Sequence, residues 1–168
     1  SDGTFVKPGI YLNGGLYNIE KFQNPKKNKF EFKKFRSNFF PQFSLELSKP
    51  YFKKDKNFIS IVTPKILAVK SNKNGFFREI PDESDVNNFD FDYIDLFNVN
   101  RLSGNDRFDA SSRIDYGLSF LKKKIYKDDQ ITLIEVGQSY QLEKNKYMEN
   151  NSGINDKFSD IVINFRLN

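Results

Sequence analysis

The chain has 168 residues with a formal net charge of +5, and 29% of the residues are charged. It contains no His, Cys or Trp, which excludes Ser–His and Cys–His catalysis, thiol chemistry, and zinc sites built from imidazole or thiolate. Aromatic residues make up 16% of the chain, too many for a disordered protein, and this composition favours β structure.

The positive charge is concentrated in the first part of the chain. Residues 1–75 carry fifteen Lys or Arg against five acids, a net +10. Residues 76–109 carry three against nine, a net −6, and residues 110–168 carry nine against eight, a net +1. A basic section of this kind is compatible with an anionic partner or with ordinary surface charge.

Alternation of apolar and polar residues predicts about six long β-strands. They fall at residues 9–22, 35–48, 57–70, 112–120, 132–142 and 161–167. Gly14 and Gly15 predict a bulge or a close backbone approach, and Pro41 predicts a bulge or a strand end. Gly137 lies on the polar side of its strand, where it either admits a close neighbour or only relieves packing.

The connections between these strands alternate between short and long. Residues 48–57 and 122–129 are predicted short turns, while residues 21–29, 71–107 and 144–157 are predicted to lie at the other end of the strands. Transmembrane β-strands of about 9–11 residues are joined in this way. The pattern predicts an all-β, antiparallel up-and-down meander that is a segment of a large transmembrane β-barrel. A soluble β-sandwich that binds an anionic polymer is the alternative.

The segment from Phe89 to Arg107 shows neither a strand nor a helix periodicity and is therefore predicted to be a loop. A loop of this length in a compact domain is usually functional. Its turn-forming residues include Gly104 and Asn105. Arg101 and Arg107 could pair with Asp106, with Asp109 just beyond the segment, or with an anionic ligand.

Two further stretches have residue patterns that suggest ligand binding or catalysis, but a simpler interpretation explains each pattern as well. The acidic residues 80–95 could bind Ca²⁺ or act as paired carboxylates, but their spacing favours a solvated acidic loop. Residues 26–40 interleave Lys and Phe as nucleic-acid surfaces do. On alternating strands, the same residues form an aromatic band that faces lipid or the core.

In order and rough spacing, several segments resemble the C-terminal barrel region of the LptD (OstA) family, the outer-membrane proteins of lipopolysaccharide assembly. The most specific is FDFDYIDLFNVNRLSGNDRFD at residues 89–109. The others are FPQFSLELSKPYF (40–52), VTPKILAV (62–69), IPDESD (80–85), SRIDYGLSF (112–120), VGQSYQL (136–142) and SDIV (159–162). The resemblance covers about 130 residues and is to an alphaproteobacterial form of the family.

The resemblance implies transport without covalent chemistry, so no catalytic residue, cofactor or metal is expected. It implies a location in the bacterial outer membrane. The implied partners are lipopolysaccharide, a plug lipoprotein and outer-membrane lipid, with no nucleic acid. It also implies that residues 1–168 are a partial barrel domain, with a long extracellular loop at about residues 71–107.

Two sets of residues receive structural roles from this interpretation. The predicted loop motif, which holds the shape of the loop, comprises Asn100, Arg101, Gly104, Asp106 and Arg107. The residues predicted to line the barrel lumen are Arg113, Asp115, Glu135, Gln141, Asn164 and Arg166.

Overall fold

The computed structural model describes residues 3–24, 29–71, 92–102, 108–126, 131–143, 154 and 156–168. They form one antiparallel sheet with the strand order β1-β2-β4-β5-β6-β7, and β3 pairs with β4. The strands are β1 (Phe5–Asn24), β2 (Lys29–Ser48), β3 (Tyr51–Lys54), β4 (Phe58–Ser71), β5 (Ser112–Lys124), β6 (Ile131–Glu143) and β7 (Val162–Leu167). One short helix, α1 (Tyr93–Leu96), lies between β4 and β5. The prediction of an all-β antiparallel meander is confirmed.

The first predicted short turn is wrong in its extent, because residues 51–54 form β3. Ser48 pairs with Lys65 in β4, and Tyr51 pairs with Val62, so β3 continues β2 in the same register. Pro50 lacks the N–H that a ladder needs, which explains the interruption between the two strands. The turn itself is confined to the few residues around the bond from the Asp55 N–H to the Phe58 carbonyl.

Of the alternatives left open at Gly14, Gly15 and Pro41, the bulge is absent from the described β1–β2 ladder, which keeps one register from Phe5 to Asn24. Pairing of β2 with β4 begins only at residue 42. Among the described strands, Pro41 therefore has a neighbour on one side only, a position that tolerates proline.

Strand alternation gives the sheet two contrasting faces. The apolar face is largely exposed and includes Ile10, Leu12, Phe43, Leu118, Val136, Ile163 and Phe165. The polar face includes Gln42, Ser71, Arg113, Asp115, Glu135, Ser139, Gln141 and Asn164, most of them buried. This distribution is the reverse of a soluble domain, in which apolar side chains are most often buried and charged side chains are mostly exposed.

The order of the strands also separates the two ends of the sheet. The turns β3–β4 and β5–β6 lie at one end, which we call the short-turn edge. The connections β4–β5 and β6–β7 leave from the opposite end, the long-connection edge. None of the helices in the described ranges is long and apolar enough to cross a membrane.

Candidate functional site: a loop packed on the polar face

The connection from β4 to β5 folds back over the polar face through α1. Asp92 caps the helix, because its carboxylate accepts a hydrogen bond of 2.7 Å from the Asp95 N–H. Tyr93 and Leu96 are the buried residues of α1. A four-residue helix is too short to produce a periodic sequence pattern, which is why the sequence did not predict it.

A pair of glycines makes room for the helix. Gly117 in β5 and Gly137 in β6 are directly opposite each other in the sheet. A Cβ atom at Gly117 would lie 2.9 Å from the Tyr93 ring, and one at Gly137 would collide with the Leu96 side chain. Of the two interpretations that the sequence left open for Gly137, the structure shows the close approach.

Beyond the helix, Asp109 is held between two arginines. Its Oδ2 atom accepts hydrogen bonds from Arg101 Nε at 2.6 Å and from Arg113 Nη1 at 3.0 Å. All three side chains are buried. Arg113 also binds Asp115 through its Nε atom at 2.8 Å, so two guanidinium groups face two carboxylates.

Hydroxyl groups complete this buried ionic cluster, which comprises Arg101, Asp109, Ser111, Arg113, Asp115 and Ser139. Ser139 donates to Asp115 at 2.5 Å and accepts from Arg101 at 3.4 Å. Ser111 accepts from both arginines, at 3.2 and 3.1 Å. The cluster thus joins the loop to both β5 and β6. Within it, each buried charge has an oppositely charged partner and further hydrogen bonds, which buried charges require.

The electrostatics of the loop follow from this burial. Burial by itself would raise the pKa of Asp109, but Arg101 and Arg113 outweigh it and hold the pKa well below its usual range. Burial, with a smaller contribution from the charge of Glu135, raises the pKa of Tyr93 to about 12. Tyr93 therefore stays neutral against the sheet at any physiological pH.

A second polar set fixes the loop to β2 and β4. The Gln42 amide donates to Ser71 Oγ and to the Asp109 carbonyl, both at 3.1 Å, and Ser71 donates to the same carbonyl at 3.3 Å. Sequence reasoning missed these residues. Gln42 could have been noticed as a polar residue on the polar side of its strand. Its partner, the Asp109 carbonyl, could not be known before the loop was placed.

The predicted loop motif is only partly within the described residues. Arg101 lies in the ionic cluster, and Asn100 accepts the Asp109 N–H at 2.9 Å while donating to the Leu102 carbonyl at 3.2 Å. Gly104, Asp106 and Arg107 lie outside the described residues. The pairing of Arg101 with Asp109 is one of those that the sequence left open.

The six residues predicted to line a lumen share the polar face. Arg113 and Asp115 are buried beneath the loop and do not border open space, and Gln141 is buried while donating to the Ile154 carbonyl at 3.2 Å. Asn164 donates to Glu135 at 2.8 Å, and Arg166 is exposed near the end of β7. A cavity of about 320 Å³ remains on this face, between β1, β2 and residues 97–100.

Among the described residues, no group of three acidic side chains is placed to hold a metal ion. Most of the acidic stretch that suggested Ca²⁺, including Asp82, Glu83, Asp85 and Asp90, lies outside the described residues. In the described part of the loop, Asn100, Arg101 and Asp109 are hydrogen-bonded within the loop and, through Arg101 and Asp109, to the sheet. This arrangement anchors the loop.

An antiparallel meander with an exposed apolar face and a buried polar face is typical of the wall of a membrane β-barrel. The described sheet is of the class that can form such a wall. The model of the LptD family, LPS transport system D, matches residues 1–168. The chain belongs to the LptD family, which confirms the family resemblance of its motifs. Comparison with individually curated proteins gives no match.

Membership of this family fixes the general function of the chain as lipopolysaccharide transport and outer-membrane assembly. The family is one of transport and assembly proteins of the outer membrane and is not an enzyme family. The alphaproteobacterial form stays a prediction.

Proposed function

We propose that this chain forms part of the wall of the outer-membrane lipopolysaccharide translocon. Its apolar face contacts lipid, and its polar face lies toward the lumen. The observation that carries this proposal is the inverted burial: Ile163 is 70% exposed, whereas Arg113 and Asp115 are 0% exposed. In water, an apolar surface of this extent would cost about 25 cal/mol per Å². In a bilayer the same surface is favourable.

In this arrangement, the connection at about residues 71–107 is the extracellular loop, and its described residues 92–102, together with residues 108–111 that follow it, fold into the lumen. Long connections of outer-membrane barrels lie outside the cell and short turns lie on the periplasmic side. The ionic cluster supports an inward position, because charges buried between loop and sheet are kept away from hydrocarbon. Asn100 and Arg101 fix the shape of the loop, and Gly104, Asp106 and Arg107 complete the motif.

The proposed partners follow from the two faces. Outer-membrane lipid contacts the apolar face, while lipopolysaccharide and the plug lipoprotein meet the polar face. The proposed lumen residues are Arg113, Asp115, Glu135, Gln141, Asn164 and Arg166. Of these, Glu135, Asn164 and Arg166 are not buried and can supply hydrogen bonds and charge there. The cavity beside β1 and β2 is lined by both polar and aromatic residues, which suits contact with saccharide groups.

Adjacent residues on opposite faces provide the test. The chain has no cysteine, so Ile163→Cys and Asn164→Cys each give a single labelling site for a fluorescent maleimide. In vesicles of brominated phosphatidylcholine, we expect strong quenching of the label at position 163 and little at position 164. Iodide in the water should give the opposite order. Equal quenching of the two labels by brominated lipid would refute the proposed orientation.

The soluble β-sandwich alternative lacks support. A sandwich needs two sheets packed face to face, whereas the strands of the described ranges belong to a single sheet.

A further inference from the structure

Near the short-turn edge, the side chains of the apolar face change from apolar to polar between two neighbouring rows. Tyr51, Val62 and Phe120 lie side by side in one row across three strands. Two residues nearer the turns, the equivalent row is strongly polar. In β3, β4, β5 and β6 it consists of Lys53, Ser60, Lys122 and Thr132, paired in that order, and in β7 it ends at Leu167, which pairs with Thr132. We call the four polar residues the lysine row.

The two lysines are available to a ligand. Both are exposed, and within the described residues neither ammonium group forms an ion pair. They flank Ser60 on either side, so their Cα atoms are about 10 Å apart, the width of two strand spacings. The Lys122 ammonium lies 4.4 Å from the centre of the Phe58 ring, which holds it close to the sheet.

The spacing along β4 places this row at the boundary of a hydrocarbon layer. Ser60 and Lys70, the polar residues at the two ends of this stretch of the apolar face, are ten residues apart. Ten residues span about 34 Å along a strand. At the usual tilt of about 40°, this corresponds to roughly 25 Å across the membrane, the height of the apolar band of an outer-membrane barrel.

Lys49 is an additional charge on the apolar face, between the rows of Ser60 and Lys70. Its ammonium lies 5.8 Å from the centre of the Tyr51 ring, one row nearer to the short-turn edge. A lysine can extend in this way to carry its charge toward the headgroup level while its stem stays in an apolar layer.

We propose that the lysine row binds the phosphate group of an anionic phospholipid. This inference rests on the proposed function, since it needs the apolar face to lie in lipid. Two ammonium groups attract a net negative headgroup, and the hydroxyls of Ser60 and Thr132 can donate to its phosphate oxygens. Because short turns lie on the periplasmic side, the lipid belongs to the inner leaflet of the outer membrane.

A tryptophan reporter next to the row measures this preference. The chain has no Trp, so Phe120→Trp gives one fluorophore on the apolar face, one row from Lys53 and Lys122. The protein is reconstituted in vesicles of mixed phosphatidylcholine and phosphatidylglycerol, with one or the other lipid brominated. We expect brominated phosphatidylglycerol to quench preferentially. In the Lys53→Gln/Lys122→Gln variant, the preference should fall by about fivefold for each lysine removed.

The control removes the same charge at the opposite edge. Lys70 and Lys157 lie toward the long-connection edge, so Lys70→Gln/Lys157→Gln should leave the preference unchanged. If both brominated lipids quench equally in the parent protein, the lysine row is not a headgroup site, although the apolar face is in lipid. If neither lipid quenches, the proposed function fails as well. A loss of preference in the control variant equal to that in the test variant would also overturn the inference.

Discussion

At the scale of single residues, Asp109 is the group on which the loop depends most. It neutralises Arg101 and Arg113, and the side chains of all three residues are buried. We predict that Asp109→Asn lowers the free energy of unfolding by about 3–5 kcal/mol, because a buried charge is left unpaired. Urea titration of the protein in detergent micelles measures this change. Asp92→Asn is the matched control: Asp92 is exposed, and asparagine caps a helix about as well, so that stability should hardly change.

The same residue predicts a dependence of stability on pH. The pKa of Asp109 is lower in the folded state than its unfolded value of about 3.9. Its contribution is therefore complete above that value and is lost as the pH falls from about 4 toward the folded pKa. Unfolding titrations across this range should show a steeper loss of stability in the parent than in Asp109→Asn. Identical slopes would show that Asp109 does not titrate with unfolding.

At the scale of elements, the glycine pair determines whether α1 can pack on the sheet. We predict that Gly137→Ala displaces the helix, because the added methyl group would occupy the position of the Leu96 side chain. Hydrogen exchange at α1 should then accelerate while exchange in β5 and β6 stays slow. Gly15→Ala is the control, since the three atoms nearest to its methyl group all belong to the Tyr17 ring in β1, and α1 packs on β6 and β7. Unchanged exchange at α1 in Gly137→Ala would contradict this account.

Elements that depend on local pattern could be predicted from the sequence, and those that depend on distant contacts could not. The long strands follow from alternation alone, and so does the shared face of Arg113 and Asp115. In contrast, β3 forms because its residues continue the register of β2 against β4. The sequence did not predict it, because Pro50 and the nearby lysines resemble a turn.

The candidate site shows the same division between local and distant information. The pairing of Arg101 with Asp109 was among those expected, because both lie in one polar segment. Their joining to Arg113 could not be predicted, because it requires the loop to fold back on the sheet. The roles of the loop motif and of the lumen residues stay predictions.

At the scale of the whole molecule, the depth of a residue in the bilayer should determine the cost of a charge on the apolar face. Leu118 lies in a middle row between Pro64 and Val136, whereas Leu167 pairs with Thr132 at the end of the lysine row. Both side chains are exposed on the same face, so Leu→Arg at either site removes little packing within the protein. In phosphatidylcholine vesicles, Leu118→Arg should destabilise by about 2–4 kcal/mol and Leu167→Arg by about 0–1 kcal/mol. Urea titrations of both variants in the same vesicles measure the difference. Equal, small effects would mean that water, and not hydrocarbon, covers this face.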